Sequence, residues 1–260
     1  YTTLFRFLTL RELRSKYRRS FLGWAWSLLN PLSNMLIYTF VFGVVFGATA
    51  PIGEPSGLNV YALYLLCGIL PWGFYSQVTN LGMNSLLSNA SLVRKVAFAR
   101  ETLVISQVIF CFVQWSIEMT LLAVALIIAG SPIIPWLPVT ILLMVCLAVY
   151  AAGFALALSA AAVFFRDLRY LWNILIQVMF FATPIIYTPD RLEGKLPAAV
   201  DFILTWNPMA VFILTFRHML YGGSAPQWGE MLYVVVVSIG VFIAGWAIFS
   251  RLSRRVAEEL

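Results

Sequence analysis

Charged residues are scarce in this chain: Asp, Glu, Lys and Arg make up only 11% of its 260 residues, whereas about a quarter is usual in soluble proteins. Apolar residues make up 62%. A soluble enzyme or a soluble binding domain is excluded, because so few polar side chains could not cover so much apolar surface. We therefore expect lipid to surround most of the chain.

Residues that hold metals or perform acid-base chemistry are few as well. The chain has 11 acidic residues, one histidine and three cysteines. His218 alone supports no metal site, and the cysteines lie singly inside apolar tracts. The acids predicted to face the cytosol form no Asp-x-x-Asp pair, which argues against a membrane-embedded transferase that holds a metal ion. We predict no catalytic residue and no metal ligand.

Two further sequence motifs are missing. No phosphate-binding loop of the form GxxxxGK[ST] occurs, since the only Gly-Lys pair, Gly194-Lys195, is followed by Leu196. If ATP drives this protein, another chain must bind the ATP, so no cofactor is expected in this chain. No cleavable signal peptide is expected either, because the basic amino-terminal stretch leads into an apolar tract of full spanning length.

Long apolar tracts dominate the sequence that is present. A membrane-spanning helix needs about 20 mostly apolar residues, and six tracts come close to that length. They are residues 26–48, 60–86, 102–129, 137–165, 171–188 and 231–250. The sequence therefore predicts a single domain, residues 1–260, that is an all-α polytopic membrane protein with six transmembrane helices.

The basic residues predict the orientation of these spans. With six crossings, fourteen of them fall on one side of the membrane and three, Arg191, Lys195 and Arg217, fall on the other. Lys and Arg collect on the cytosolic side of membrane proteins, so both termini are predicted to be cytosolic in a bacterial plasma (inner) membrane. Because the basic residues lie at the ends of apolar tracts, we expect no nucleic acid as a partner.

Two short basic stretches lie outside the predicted spans. Residues 1–22 place apolar side chains at helical spacing between arginines, which is typical of an amphipathic interfacial helix on the cytosolic leaflet. Residues 89–101 combine basic residues with an apolar stripe that ends at Phe98, which predicts a small amphipathic helix pressed against a partner. The alternative for residues 89–101 is a cytosolic loop whose charges only fix the topology.

The segment 189–230 is apolar in places, but Asp201, the pair Asn207-Pro208 and Arg217 interrupt it. A seventh span there would also place the basic carboxyl-terminal end outside the cell. We therefore predict short re-entrant helices on the outer side, before the last span. Such irregular backbone is permitted only where protein covers it or where it lines a cavity.

Short motifs follow one another in a recognisable order along the chain. They are Arg11-Glu12-Leu13 with Tyr17, Leu22-Gly23, Trp26, Pro31, Tyr38, Val41-Phe42-Gly43, Gly68, Pro71-Trp72, Asn89, Leu92, Lys95, Phe98, Arg100-Glu101, Phe165-Arg166-Asp167-Leu168, Thr183-Pro184-Ile185-Ile186-Tyr187, Asn207-Pro208 and Arg217. This ordered set resembles the permease (transmembrane) subunits of ABC-2 type polysaccharide exporters, the ABC transporters for O-antigen, teichoic acid, capsule and galactan chains. The resemblance covers nearly the whole chain.

The resemblance implies a homodimer of six-span subunits joined to two ABC ATPase subunits that bind ATP and Mg²⁺. It implies export of a lipid-linked (polyprenyl-diphosphate) polysaccharide from the cytosolic leaflet. The loop between the second and third spans would act as a coupling helix, and the outer re-entrant helices would gate the channel. Ala99 and Ser106 stand where the family usually has proline, which favours a helix that continues from the loop into the third span.

Three groups of candidate site residues follow. The residues expected to couple to the ATPase are Asn89, Leu92, Arg94, Lys95, Phe98, Arg100, Glu101, Arg166 and Asp167. The residues expected along the substrate path and at its gate are Tyr38, Trp72, Phe74, Tyr75, Phe180, Phe181, Tyr187, Asn207 and Arg217. The residues expected at lipid head groups are Arg14, Lys16, Arg18 and Arg19, which are equally suited to bulk anionic lipid.

Simpler roles stay open for several of these residues. Arg166 and Asp167 could form an ion pair that closes a cytosolic turn. The aromatic side chains could face lipid or pack in the core instead of stacking on sugar rings. Arg217 could hold the outer gate closed by bonding helix-end carbonyls, or it could anchor at head groups. Glu118, inside the third predicted span, could relay protons or form a hydrogen bond across the bundle.

An ABC-2 permease for a drug or a small lipid is the alternative function. A secondary transporter is disfavoured, because such proteins need several acid or cation sites near the membrane midplane and Glu118 stands alone.

Overall fold

The structure is a computed structural model that describes residues 29, 32, 33, 36–47, 49–95, 98–187 and 206–259. Its helices follow in chain order. A short helical stretch, Leu36–Val45, is π-helical over Thr39–Val45; then come α1 (Tyr61–Ser88), α2 (Ala90–Lys95), α3 (Glu101–Ile128), a 3₁₀ turn (Ile134–Trp136), α4 (Leu137–Phe164), α5 (Leu168–Ala182), α6 (Pro208–Arg217), a π-helical turn (His218–Gly222) and α7 (Trp228–Glu259). No strand occurs in this part of the chain, so the predicted all-α class is confirmed.

Among the described residues, three helices are long and apolar enough to cross a membrane, namely Glu101–Ile128, Ile134–Phe164 and Trp228–Ser253. Helix α1 is 28 residues long but does not join this set, because polar, tyrosine, proline and glycine residues dilute its apolar tract. Helix α5 has 15 residues, or about 22 Å, which is less than the hydrocarbon core of roughly 30 Å. Six spans stay a prediction.

The bounds of the helices differ from the predicted tracts at a few points. Helix α5 begins before residue 171 and ends at Ala182, although the predicted tract runs to residue 188. Pro184 follows directly, and a proline disfavours helical geometry in the residue before it. Helix α7 extends well beyond residue 250. The predicted interfacial helix, residues 1–22 with its four head-group candidates, lies outside the described residues, and so does part of the predicted outer segment.

Helix α1 is the centre of the bundle and packs against α3, α4, α5 and α6. Its first half is buried almost continuously from Tyr64 to Trp72. Helices α4 and α7 lie side by side along much of their length, and they touch backbone to backbone where Gly153 faces Gly245. A Cβ on Gly153 would lie 2.6 Å from the carbonyl oxygen of Val241. Small residues permit this approach, as is common between membrane helices.

The chain between α2 and α3 corrects one expectation. A helix running without interruption from the 89–101 loop into the third span was expected because Ala99 replaces a proline. That expectation is wrong, since Phe98, Ala99 and Arg100 are not helical and α3 begins at Glu101. Phe98 packs against the core, and Arg100 donates a hydrogen bond to Ser253 O in α7. These tertiary contacts outweigh the local tolerance of alanine for a helix.

Candidate functional site

Arg217, at the end of α6, is buried with only 4% of its surface exposed. Its Nη1 donates to Pro184 O at 2.6 Å, and its Nη2 donates to Ile185 O at 2.5 Å. Its Cζ lies 3.8 Å from the centroid of the Tyr64 ring, and Nε donates to Tyr64 O at 3.4 Å. No carboxylate of the described residues pairs with it. Carbonyl dipoles and an aromatic face therefore compensate a buried positive charge.

Room for this guanidinium comes from Gly68 on α1. A Cβ at Gly68 would lie 2.9 Å from Arg217 Nη2, closer than ordinary packing allows. A larger residue there would displace the guanidinium from the carbonyls that it binds. The motif residues Gly68 and Arg217 are thus two halves of one contact.

The carbonyls that Arg217 binds belong to Thr183–Tyr187, the non-helical continuation of α5. Tyr61 Oη donates to Ile186 O at 3.0 Å. Asn207 Nδ2 donates to Thr183 Oγ1 at 3.0 Å, while Asn207 Oδ1 caps α6 by accepting the N–H of Met209 at 3.0 Å. These side chains pair polar groups that a broken helix leaves open. We name this cluster of Tyr61, Thr183–Tyr187, Asn207 and Arg217 the outer junction.

Tyr221 ties the chain between the first helical stretch and α1 to the same end of the bundle. Its hydroxyl accepts the N–H of Val60 at 3.1 Å and donates to Leu58 O at 2.9 Å. Ser56 Oγ donates to Tyr221 O at 2.6 Å. The π-helical turn after Arg217 is therefore pinned to the loop, and the loop covers the end of the bundle.

Five of the predicted path residues meet beside the outer junction. The rings of Tyr38 and Phe180 are stacked with centroids 6.0 Å apart, and Trp72 meets Phe180 edge to face at 5.8 Å. Phe181 contacts Phe180 at 5.3 Å, and Tyr187 Oη donates to Phe181 O at 3.0 Å. The stretch Leu36–Val45, α1 and α5 thus share one aromatic cluster.

Phe74 does not join that cluster, and Tyr75 reaches it only through Trp72, with 5.8 Å between the ring centroids. Phe74 stacks on Trp115 of α3 at 4.3 Å between centroids, and Tyr75 stacks on Tyr150 of α4 at 5.7 Å. They are 3% and 0% exposed. The alternative of core packing is therefore what the structure shows for these two residues.

The predicted coupling residues lie at the opposite end of the bundle. Helix α2 has six residues; Arg94 points to solvent, while Leu92 and Phe98 pack in part against the core of the chain itself. Asn89 Nδ2 donates to Ser85 O at 2.9 Å. Glu101 opens α3. The side chain of Lys95 lies outside the described residues. The apolar stripe is thus shared between the core of this chain and the surface.

Arg166 and Asp167 are both exposed between α4 and α5. No ion pair joins them or involves either of them in the described chain. Asp167 O accepts the N–H of Tyr170 at 3.0 Å and that of Leu171 at 3.2 Å, so the main chain alone starts α5. Both side chains are available to a partner.

One set of residues escaped prediction, a row of polar side chains on the second half of α1. Ser76, Asn80 and Asn84 are half-buried and follow one another at spacings of four. They share a helix face. Asn80 Nδ2 donates to Ser76 O at 2.9 Å and Asn84 Nδ2 to Asn80 O at 2.8 Å. The signal was in the sequence as polar residues at helical spacing inside an apolar tract.

A second polar chain links α1 to α3. Gln77 Nε2 donates to Gln114 Oε1 at 3.4 Å, and Gln114 Nε2 donates to Glu118 Oε1 at 3.2 Å. Glu118 therefore accepts a hydrogen bond from its own helix, and the bond that crosses between helices is the one from Gln77 to Gln114.

A comparison with models of known protein families identifies the family of this chain. Residues 3–221 match the model of the ABC-2 type transporter family, which is most of the chain. The protein belongs to the ABC-2 type transporter family. The outer junction and the aromatic cluster both fall within the matched range.

Relatives of this ABC-2 transporter chain match it over almost its whole length. The O-antigen export system permease protein RfbA of Klebsiella pneumoniae is 28% identical over 255 residues, covering 97% of this chain and 93% of the relative. The protein of the same name from Myxococcus xanthus is 27% identical, covering 97% of this chain and 94% of the relative. The polysialic acid transport protein KpsM of Escherichia coli is 21% identical, covering 93% and 90%.

Family membership identifies this chain as a membrane subunit of a transporter. The two ends of the bundle differ in this ABC-2 chain. At one end the outer junction pairs the polar groups of an irregular segment, and at the other a short helix exposes Arg94.

Proposed function

We propose that this chain is the permease subunit of an ATP-driven ABC exporter that moves a polysaccharide across the bacterial plasma membrane. The observation that carries the proposal is the near full-length match to relatives named for O-antigen export and polysialic acid transport. The geometry is consistent with a path for a polymer, since aromatic rings and neutral polar side chains, which suit sugar, follow α1. Stacking on rings demands no single register, so a chain of sugars can slide past them.

We propose six spans with both termini in the cytosol, a cytosolic interfacial helix at residues 1–22 and a re-entrant gate within residues 189–230. The distribution of Lys and Arg supports this orientation. Arg94, Arg100, Arg166, Arg169 and Arg251 all lie at the end of the bundle opposite Arg217. In this orientation the outer junction closes the extracytoplasmic half, and Thr183–Tyr187 is irregular backbone at membrane depth that protein covers.

The assembly that we propose is a homodimer with two ATPase subunits. A second copy of the chain would cover part of the apolar surface of α5, where Leu171, Ile174 and Val178 are exposed. The ATPase would dock on α2 and on Arg166 and Asp167, with ATP and Mg²⁺ held by the ATPase. ATP binding would shift α2, and the contact of Arg100 with α7 would carry that shift into the bundle.

The substrate that we propose is a glycan linked to a polyprenyl diphosphate, which enters from the cytosolic leaflet. The basic stretch of residues 1–22, with Arg14, Lys16, Arg18 and Arg19, would hold it or bulk anionic lipid near the entrance.

The proposed function is tested by reconstituting the chain with an ABC ATPase subunit from its host. ATP hydrolysis should rise when a polyprenyl-diphosphate-linked glycan is added, and it should not rise with rhodamine 6G, a small hydrophobic cation. Deletion of the chain in its host should remove the surface polysaccharide. Stimulation by the dye alone, with surface polysaccharide retained after deletion, would overturn the proposal in favour of a drug or small-lipid permease.

A further inference from the structure

Helix α5 carries a second polar row that matches the row on α1. Arg169, Asn173 and Gln177 follow one another at spacings of four, as do Ser76, Asn80 and Asn84 on α1. Asn173 and Gln177 are exposed, and the other four side chains are partly exposed. All six lie in tracts that are otherwise apolar. Amides and hydroxyls facing away from the protein core are costly in lipid unless they line a water-filled space.

The two rows flank the contact between α1 and α5, and we call the surface between the rows the groove. Arg169 Nη1 donates to Asn84 Oδ1 at 3.5 Å, and Trp172 Nε1 donates to Thr79 Oγ1 at 3.3 Å. The rings of Trp72 and Phe180 meet at 5.8 Å. These contacts fix an antiparallel register between α1 and α5. In that register Asn80 is level with Asn173, and Ser76 is level with Gln177.

The groove has two different ends. Toward the outer junction it stops at the aromatic contact of Trp72 with Phe180 and Tyr38. Just before that stop, Gly73 is exposed, and a Cβ built there would meet nothing within 4 Å, so there is open space at this level. Toward the coupling end it begins at Arg169, which forms no ion pair with any carboxylate of the described chain.

We infer that this groove binds a phosphate-bearing glycan, with a phosphate group at Arg169 and the hydroxyl-rich sugars along the amide and hydroxyl rows. A guanidinium that has an amide but no carboxylate beside it in the described chain offers several donors to a phosphate. Between Arg169 and the aromatic stop the two rows carry no charge, so they match an uncharged sugar chain better than a polyanion. The inference rests on the proposed function. It assigns residues and a ligand class to the part of the proposed substrate path that begins at Arg169.

The phosphate arm of the inference is tested by binding of farnesyl diphosphate to the full chain in phosphatidylcholine nanodiscs. Arg169→Gln should weaken binding by about tenfold or more, the worth of a charge-assisted hydrogen bond, and Arg169→Lys should recover part of the loss. Arg251→Gln, which removes an exposed charge at the same end of the bundle, is the matched control and should bind as the unaltered chain does. Farnesol should bind all four forms equally.

Three outcomes of this experiment would overturn the phosphate site. The first is an equal loss in Arg169→Gln and Arg251→Gln, and the second is no loss in either. The third is complete competition when the nanodiscs are made of phosphatidylglycerol, since Arg169 would then be a site for bulk anionic lipid.

The groove itself is tested by neighbouring cysteine variants at one depth. Asn173→Cys lies in the groove, whereas Ile174→Cys replaces a side chain that is 60% exposed on the apolar face of α5. The natural cysteines are buried. A charged, membrane-impermeant methanethiosulfonate applied to inverted vesicles should label Asn173→Cys much faster than Ile174→Cys, and farnesyl diphosphate should slow that labelling.

Equal labelling of the two cysteines would overturn the groove. If the unaltered chain with its ATPase still responds to the lipid-linked glycan, the groove fails and the proposed function stands. If that response is absent as well, the proposed function fails independently of the labelling pattern.

Discussion

The guanidinium of Arg217 lies over the ring of Tyr64, with 3.8 Å between Cζ and the ring centroid. The pair joins the end of α6 to the first half of α1, and the same guanidinium holds Pro184 and Ile185 by their carbonyls. A single cation therefore organises three segments. Its partners are neutral, so the contact can break without leaving a buried carboxylate behind.

Arg217→Met should destabilise the chain, because the carbonyls of Pro184 and Ile185 would lose their donors at about 1 to 3 kcal/mol each. We expect the midpoint of thermal unfolding in detergent to fall by several degrees. Proteoliposomes should also leak a small fluorescent dye if the outer junction closes the path. The control is Arg251→Met at an exposed position; equal midpoints for the two variants would contradict this role of Arg217.

Tyr221→Phe should loosen the loop that covers the end of the bundle. The phenol accepts the N–H of Val60 and donates to Leu58 O. Removing it takes the acceptor from Val60 N–H at a cost of about 1 to 3 kcal/mol, while Leu58 O keeps the N–H of Gly53. Protease should cut within residues 49–60 faster in this variant, as measured by mass spectrometry of the fragments. Tyr170→Phe, at an exposed ring, is the matched control and should be cut at the rate of the unaltered chain.

Apolar length and turn residues were enough to predict where some helices begin and end. Helix α3 covers Glu101–Ile128 and α4 covers Leu137–Phe164, each within a residue of a predicted span, because Gly130 and Pro132 interrupt a long apolar run between them. The direction in which each side chain points was harder to predict from the sequence. Phe74 and Tyr75 lie close to Trp72 in sequence, but Phe74 stacks on Trp115. Tyr75 contacts both Trp72 and Tyr150. An apolar tract carries no local signal for these differences.

The polar rows have a signal in the sequence, the spacing of their polar residues, from which they could have been predicted. Asn80 and Asn84 are separated by four residues in an apolar tract, which indicates one helix face. Their pairing with Asn173 and Gln177 depends on the register between α1 and α5, which the sequence does not encode locally. For Arg217, the sequence left two alternatives, bonding to helix-end carbonyls and anchoring at head groups. The structure shows Arg217 bonded to carbonyls just beyond the end of α5.

Gly245→Ala should separate α4 from α7. A Cβ at Gly245 would fall within the van der Waals radius of the carbonyl oxygen of Gly153, and overpacking of this kind costs about 1 to 3 kcal/mol or more. The variant should elute as a broader peak in size-exclusion chromatography and unfold at lower temperature. Gly240→Ala, on the same helix with nothing within 4 Å of its Cβ, should be as stable as the unaltered chain or more stable. Equal stability of the two variants would show that the helices are farther apart than the structure has them.

Docking of the ATPase on α2 is best tested at Arg94. Replacing Leu92 or Phe98 with aspartate would disturb the core as well as the surface, because both side chains pack against the core of this chain. Arg94 is exposed and makes no ion pair in the described chain, so Arg94→Glu reverses a charge without a packing change. We expect the ATPase to co-purify at a clearly lower yield with Arg94→Glu, while Arg251→Glu retains it and both variants keep the unfolding midpoint of the unaltered chain. Unchanged co-purification of Arg94→Glu at high and low salt would exclude α2 as an electrostatic contact, since a charge at the rim of an interface acts most strongly at low salt.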